Sequence, residues 1–125
     1  MAIFTHMTLG TNNLDKARKF YDAVFAPLGL KRLHDMDNLS LYGVDHPEFI
    51  ILKPRNGEPA CIGNGLTIGF QAANHAAVNA FHAAGLAAGG TDEGAPGPRE
   101  FAPGAYAAYL RDTDGHKITA ITYTP

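Results

Sequence analysis

The side chains able to do chemistry are few and scattered: six histidines, one cysteine, an Asp112-Thr113-Asp114-Gly115 run, and Arg99 within Pro96-Gly97-Pro98-Arg99-Glu100-Phe101. An imidazole can pass a proton near neutral pH or bind a metal, but a metal needs several such ligands on one face. His75 and His82 share a helical pattern yet stand roughly 10 Å apart along its axis, too far to grip one ion. They flank an apolar stripe, which reads as a solvated helix face. His34, His46 and His116 lie near turns, where exposed histidine is ordinary. The acidic run lacks the other positions and the terminal Glu of a calcium loop, so it reads as a hydrogen-bonded turn. Cys61 has no partner within the chain for a disulfide, and no flanking residue marks it as a nucleophile. No glycine run has phosphate-binding form, and no Ser-His-Asp or Cys-His set assembles from the spacing. His6, Arg99 and Tyr109 remain as candidates.

Composition narrows the partners. A formal charge of −2 and a pI near 6.3 give no electrostatic reason to expect nucleic acid or an anionic membrane. The apolar stretches are short and broken by Gly, Pro or charge, so none spans a bilayer. The start, Met1-Ala2-Ile3-Phe4-Thr5-His6, lacks the basic residues and apolar run of a signal peptide. A single cysteine demands no oxidising compartment, and the expected location is cytoplasmic. The 125 residues suit one domain with a real core, spanning 1–125.

The elements that must position the candidates come in two copies. Shifted by 61 positions, Asn13 falls on Asn74, Phe20 on Phe81, Ala23 on Ala84 and Gly29 on Gly90, with Leu9 on Phe70 and Ala17 on Val78. The repeats cover about 1–60 and 61–125. In the first, a strand at 4–10 leads to Asn12 or Asn13 as helix cap. Ala17, Phe20, Tyr21, Val24, Phe25 and Leu28 then recur at helical period, and Pro27 with Gly29 stops the helix. Strands follow at 30–35, 39–43 and 48–53. In the second, a strand at 66–71, the cap Asn74, a helix over 75–86 and Gly89-Gly90 repeat the plan. Residues 92–104 read as a Gly/Pro-rich loop, too irregular for a helix or central strand. Strands at 105–111 and 117–123 enclose the acidic turn.

Two such βαβββ units resemble the vicinal oxygen chelate superfamily, which includes glyoxalases, bleomycin-binding proteins, fosfomycin-resistance enzymes and extradiol dioxygenases. The resemblance runs over essentially the whole chain. Its carriers are His6-Met7-Thr8-Leu9 with Leu14 and Phe20-Tyr21; Ile68-Gly69-Phe70 with Val78 and Phe81; Pro96-Gly97-Pro98-Arg99; and Tyr109-Leu110-Arg111-Asp112-Thr113-Asp114-Gly115. It implies an α+β fold in which two tandem βαβββ units form a curved mixed-sheet cup, and a homodimer. Metal-using relatives place a His on the first strand, a His or Glu on the fifth and a Glu on the last, with a further Glu on the fourth in glyoxalases. Here those positions hold His6, Thr67, Thr119 and about Ile51, so the resemblance implies no metal ligand set and no cofactor. A divalent metal held in some other way is the alternative.

Strand alternation gives the cup its lining. His6 shares a face with Phe4 and Thr8, Thr67 with Gly69 and Gln71, Thr119 with Lys117 and Ile121, and Tyr109 with Ala107 and Arg111. His6, Thr67, Thr119 and Tyr109 are therefore expected on one concave surface. His6 is either a packed strand histidine or a proton acceptor, and Tyr109 either packs across strands or contacts ligand. Arg99 either pairs with Glu93 or Glu100 on the surface or binds a carboxylate or phosphate, with Phe101 covering it from water. The expected function is small-molecule binding in a glyoxalase-like cup with a degenerate metal site, and any metal-independent activity would run through His6. The rival is a metal-dependent lyase or isomerase, or a glutathione-linked transferase.

Overall fold

The computed structural model describes residues 3–125. The first repeat runs β1 (Met7–Gly10), α1 (Leu14–Phe25), a 3₁₀ turn (Ala26–Leu28), β2 (Lys31–Asp35), β3 (Leu39–Gly43) and β4 (Pro47–Leu52). The second runs β5 (Ile68–Gln71), α2 (His75–Ala87), β6 (Thr91–Pro98), β7 (Tyr106–Arg111) and β8 (Lys117–Thr122). Each makes a four-stranded sheet, ordered β1-β4-β3-β2 and β5-β8-β7-β6, in which the first and last strands of the repeat pair in parallel. This is the α+β arrangement of two βαβββ units.

Local chemistry explains the boundaries. Asn13 and Asn74 cap the two helices, each side chain accepting the amide of the residue three positions on, Lys16 at 3.1 Å and Ala77 at 3.0 Å. The chain leaves the first helix through Gly29 in a left-handed conformation, but leaves the second through Gly89 rather than Gly90. Asn12 does not cap. Its side chain exchanges two hydrogen bonds with the Ala60 backbone and pins the segment joining the repeats to the first loop.

The segment expected to be a loop over 92–104 is, through Pro98, an edge strand. Pro96 and Pro98 are tolerated because β6 pairs only with β7, and the register shifts between Asp92 and Gly94 and between Gly94 and Gly97 absorb its irregularity. Two strand starts also move inward: His6 lies before β1, and Leu66 and Thr67 lie before β5.

The helices cover one face of each sheet. From α1, Phe20, Tyr21, Val24 and Phe25 are fully buried with Tyr42, and Phe49 and Ile51 nearly so, in an aromatic cluster with ring centroids 4.9–6.3 Å apart. Phe70 of β5 joins that cluster edge-on to Phe25 at 4.9 Å and Phe49 at 5.4 Å, so one core crosses both repeats. The other helix lies closer to its sheet: a Cβ on Gly85 would sit 2.3 Å from Leu110 Cδ1.

Polar contacts finish the seam. The buried Tyr21 hydroxyl donates to Asp112 of the other repeat, the Asn12 amide donates to Asp114 Oδ1 at 2.9 Å, and His116 Nε2 donates to the Gly10 carbonyl at 2.7 Å. Burial, reinforced by the Asp112 carboxylate, pushes the Tyr21 hydroxyl well above its ordinary pKa. His116 is thus buried, not an exposed turn residue, and so is His82, whose Nε2 meets Asp92 Oδ1 at 2.8 Å. No described helix is long and apolar enough to cross a membrane.

Candidate functional site

The chemistry-bearing groups gather on the face of the second sheet that the helices do not cover. Ala108, Leu110, Ile118 and Ala120 turn inward and are fully buried, so alternation sends Tyr109, Lys117 and Thr119 to the other face. Tyr109 and Thr119 are direct cross-strand partners, and Gly69 is the partner of Thr119 on β5. The Arg99 guanidinium lies over the Tyr109 ring at 5.5 Å from its centroid, and Lys117 Nζ lies 5.3 Å from the same centroid.

Arg99 is held by the end of β6, the strand it follows. Its guanidinium donates to the carbonyls of Ala95 (2.8 Å), Gly97 (2.9 Å) and Pro98 (3.2 Å), neutral acceptors that fix its position without cancelling its charge. Gly94 makes room, since a Cβ there would lie 3.2 Å from the Arg99 Nη2 and 3.3 Å from the Tyr109 ring. The expected surface partner Glu93 is taken instead by Arg111 at 2.7 Å, a hydrogen bond that lowers the Glu93 pKa. Among the described residues neither Arg99 nor Lys117 belongs to an ion pair. Phe101, in the turn after β6, is 58% exposed.

His6 belongs to a different place. It lines a cleft of about 430 Å³ between the segment entering β1 and strand β5, together with Glu48, Gln71, Phe49 and Phe70. Its Nδ1 bonds the Thr5 hydroxyl at 2.9 Å. A second cavity, of about 520 Å³, lies between Gly69–Ala72 and Ile121–Thr124. Gly69 borders both, and a Cβ on it would sit 3.4 Å from Thr119 Cγ2, so a bare backbone position separates the His6 cleft from the Tyr109 face. Thr67 is exposed just before β5 and lines neither cavity.

The structure therefore brings together Tyr109, Arg99 and Thr119, adds Lys117, and places His6 in a separate cleft, with Thr67 and Phe101 exposed outside that cleft. Lys117 was legible as a member of the Thr119 face, but nothing in the spacing showed that it would reach Tyr109.

The positions at which the resemblance would put metal ligands suit a metal badly. Ile51 is apolar and faces the helix-side core, not the cup, because β4 alternation places Ile50 and Leu52 on the other face. Thr119 is buried, and its hydroxyl hydrogen is committed to the Ala108 carbonyl at 2.8 Å. Neutral alcohols supply no charge to offset a divalent ion. Among the described residues no three of His, Cys, Asp and Glu stand close enough to hold one.

A family model described as Glyoxalase/Bleomycin resistance protein/Dioxygenase superfamily matches residues 3–119. The chain belongs to this superfamily. A solved glyoxalase/bleomycin resistance protein from Albidiferax ferrireducens is 43% identical, with a TM-score of 0.88 over 96% of this chain and 98% of that one. Two more distant superfamily structures share the fold. The fosfomycin resistance protein FosX from Mesorhizobium loti is 17% identical (TM-score 0.69, covering 98% and 92%). Lactoylglutathione lyase from Agrobacterium tumefaciens is 22% identical (TM-score 0.66, covering 96% and 92%). No curated protein matches the chain.

Proposed function

We propose that this superfamily member binds a small molecule carrying an anionic group beside a flat or aromatic body, on the uncovered face of the second sheet, at a site that has lost its metal ligands. One observation carries the reading: two cations, neither of them ion-paired, flank the Tyr109 ring at 5.5 and 5.3 Å. A carboxylate or phosphate meets Arg99 and Lys117 while the attached ring stacks on Tyr109. The exposed Thr67 and Phe101 stand at the margin of this surface, and the buried Thr119 supports Tyr109 from the neighbouring strand. The outer face of the first sheet, where Leu41, Ile50 and Leu52 are half-buried, is the apolar complement, and a second copy of the chain covers it in a homodimer.

Calorimetric titration with benzoate and phenylphosphonate tests this. Lys117→Met should weaken binding about tenfold, the scale of a lost charge-assisted hydrogen bond. Ni²⁺, Zn²⁺ and Mn²⁺ should leave the melting temperature unchanged, since an ion bound only to the native state raises it. The second reading, an enzyme of the lyase, isomerase or glutathione-linked transferase type, is favoured by His6 sharing its cleft with Glu48, two groups able to exchange protons. Turnover of a methylglyoxal–glutathione adduct that His6→Ala abolishes would replace the first reading with this one.

A further inference from the structure

The cleft that holds His6 has the opposite chemistry to the Tyr109 face. Its floor is apolar and aromatic: Phe49, Phe70 and Leu30 line it. Its rim carries Glu48 and Gln71, and among the described residues the Glu48 carboxylate enters no ion pair. The backbone adds acceptors. The Ala72 amide bonds Ile121 of β8, so Ile68, Phe70 and Ala72 aim their amides and carbonyls at β8, while Gly69 and Gln71 aim theirs at the free edge. No β8 residue lines this cleft, so it borders that free edge.

We propose that the cleft is a second small-molecule site, selective for organic cations: an ammonium group on an apolar or aromatic body. The ammonium is met by Glu48 and by the carbonyls of Gly69 and Gln71, which pair with no strand among the described residues, and the body lies on Phe49 and Phe70. A carboxylate beside aromatic rings favours a cation on both counts, through charge and through the ring quadrupole. A volume of about 430 Å³ suits a ligand of one ring and a short chain. This site does not depend on the anion-binding reading of the other face.

The test is calorimetric titration of the full chain at neutral pH with 2-phenylethylammonium, and with phenylacetate as its counterpart of similar shape and opposite charge. Competition reads this cleft alone: phenylacetate, which the Tyr109 face also takes, should displace the bound cation at least about tenfold less readily than more of the cation does. Glu48→Gln should weaken the cation at least about fivefold without moving the melting temperature, because Glu48 is exposed. Lys117→Met should leave it unchanged. Displacement of the cation by phenylacetate as readily as by more cation, full retention in Glu48→Gln, or no binding of the cation would each overturn the proposal. Loss of benzoate binding in Lys117→Met bears only on the other face.

Discussion

Tyr21 and His82 occupy the same place in the two helices, 61 residues apart, and each reaches a carboxylate, yet the two contacts do different work. Tyr21 crosses to the other repeat and meets Asp112, a buried group whose Oδ1 also accepts the amides of Asp114 and His116 at 2.9 Å each. His82 stays in its own repeat and meets Asp92 at the sheet edge, where the carboxylate is 58% exposed. The turns ending the third strand of each repeat differ in the same way. Residues 112–116 are packed against the first repeat, while Val44, Asp45 and His46 are exposed. A repeated fold has therefore produced an unsymmetrical molecule. The first repeat supplies the aromatic core and receives the seam; the second supplies the seam's polar groups on one side and the charged, uncovered face on the other.

Substitutions at equivalent helix positions break this comparison most sharply. Phe25 is fully buried against Tyr42, Phe49 and Phe70, whereas its equivalent Leu86 is 43% exposed. In urea denaturation Phe25→Ala should cost about 3–5 kcal/mol, and Leu86→Ala within about 0.5 kcal/mol. Similar losses at both would show that the cores are alike. Next comes Tyr21→Phe, which removes a hydrogen bond to a buried carboxylate and should cost about 2–3 kcal/mol. The third test uses Val24 and Gly85, also equivalent. Gly85→Ala gains helix propensity but drives a Cβ into the fully buried Leu110, for a net loss of about 1–2 kcal/mol. A stabilised Gly85→Ala would mean that α2 has room to withdraw from its sheet.

The periodicity of α1, both caps and seven of the eight strands could be read from the residues because they rest on local rules: apolar period, Asn before the first turn, Gly after the last. The eighth, β6, was hidden because its pairing with β7 is imposed from outside, on a Gly/Pro-rich segment that has no strand pattern of its own. His82 and His116 read as solvated for a related reason. What buries them is a partner far along the chain or across the seam, and a single stripe carries no record of it. Alternation placed Tyr109 and Thr119 on one face, as the β7–β8 register has them, but it also placed His6 there, and His6 precedes its strand and lines a separate cleft.

The smallest expected effects separate the two helix-to-carboxylate contacts by pH. The Asp92 pKa lies below its ordinary value, chiefly through the His82 hydrogen bond and then the Gly94 amide. A carboxyl with a lowered folded pKa contributes stability above its unfolded pKa of about 4, and that contribution is lost as pH falls through the lowered value. Wild type should therefore exceed Asp92→Asn by a small constant margin near neutrality, and the margin should close in acid. Tyr21 runs the other way. Its folded pKa is raised, chiefly by burial and then by Asp112, so its contribution is whole below about pH 10 and shrinks as pH climbs from there toward the folded value. Denaturation of wild type, Asp92→Asn and Tyr21→Phe across acid and alkaline buffers reads both arms. If the Tyr21→Phe margin closes in acid but holds in alkali, the hydroxyl is not the buried donor that joins the repeats, and the asymmetry drawn between the two contacts fails.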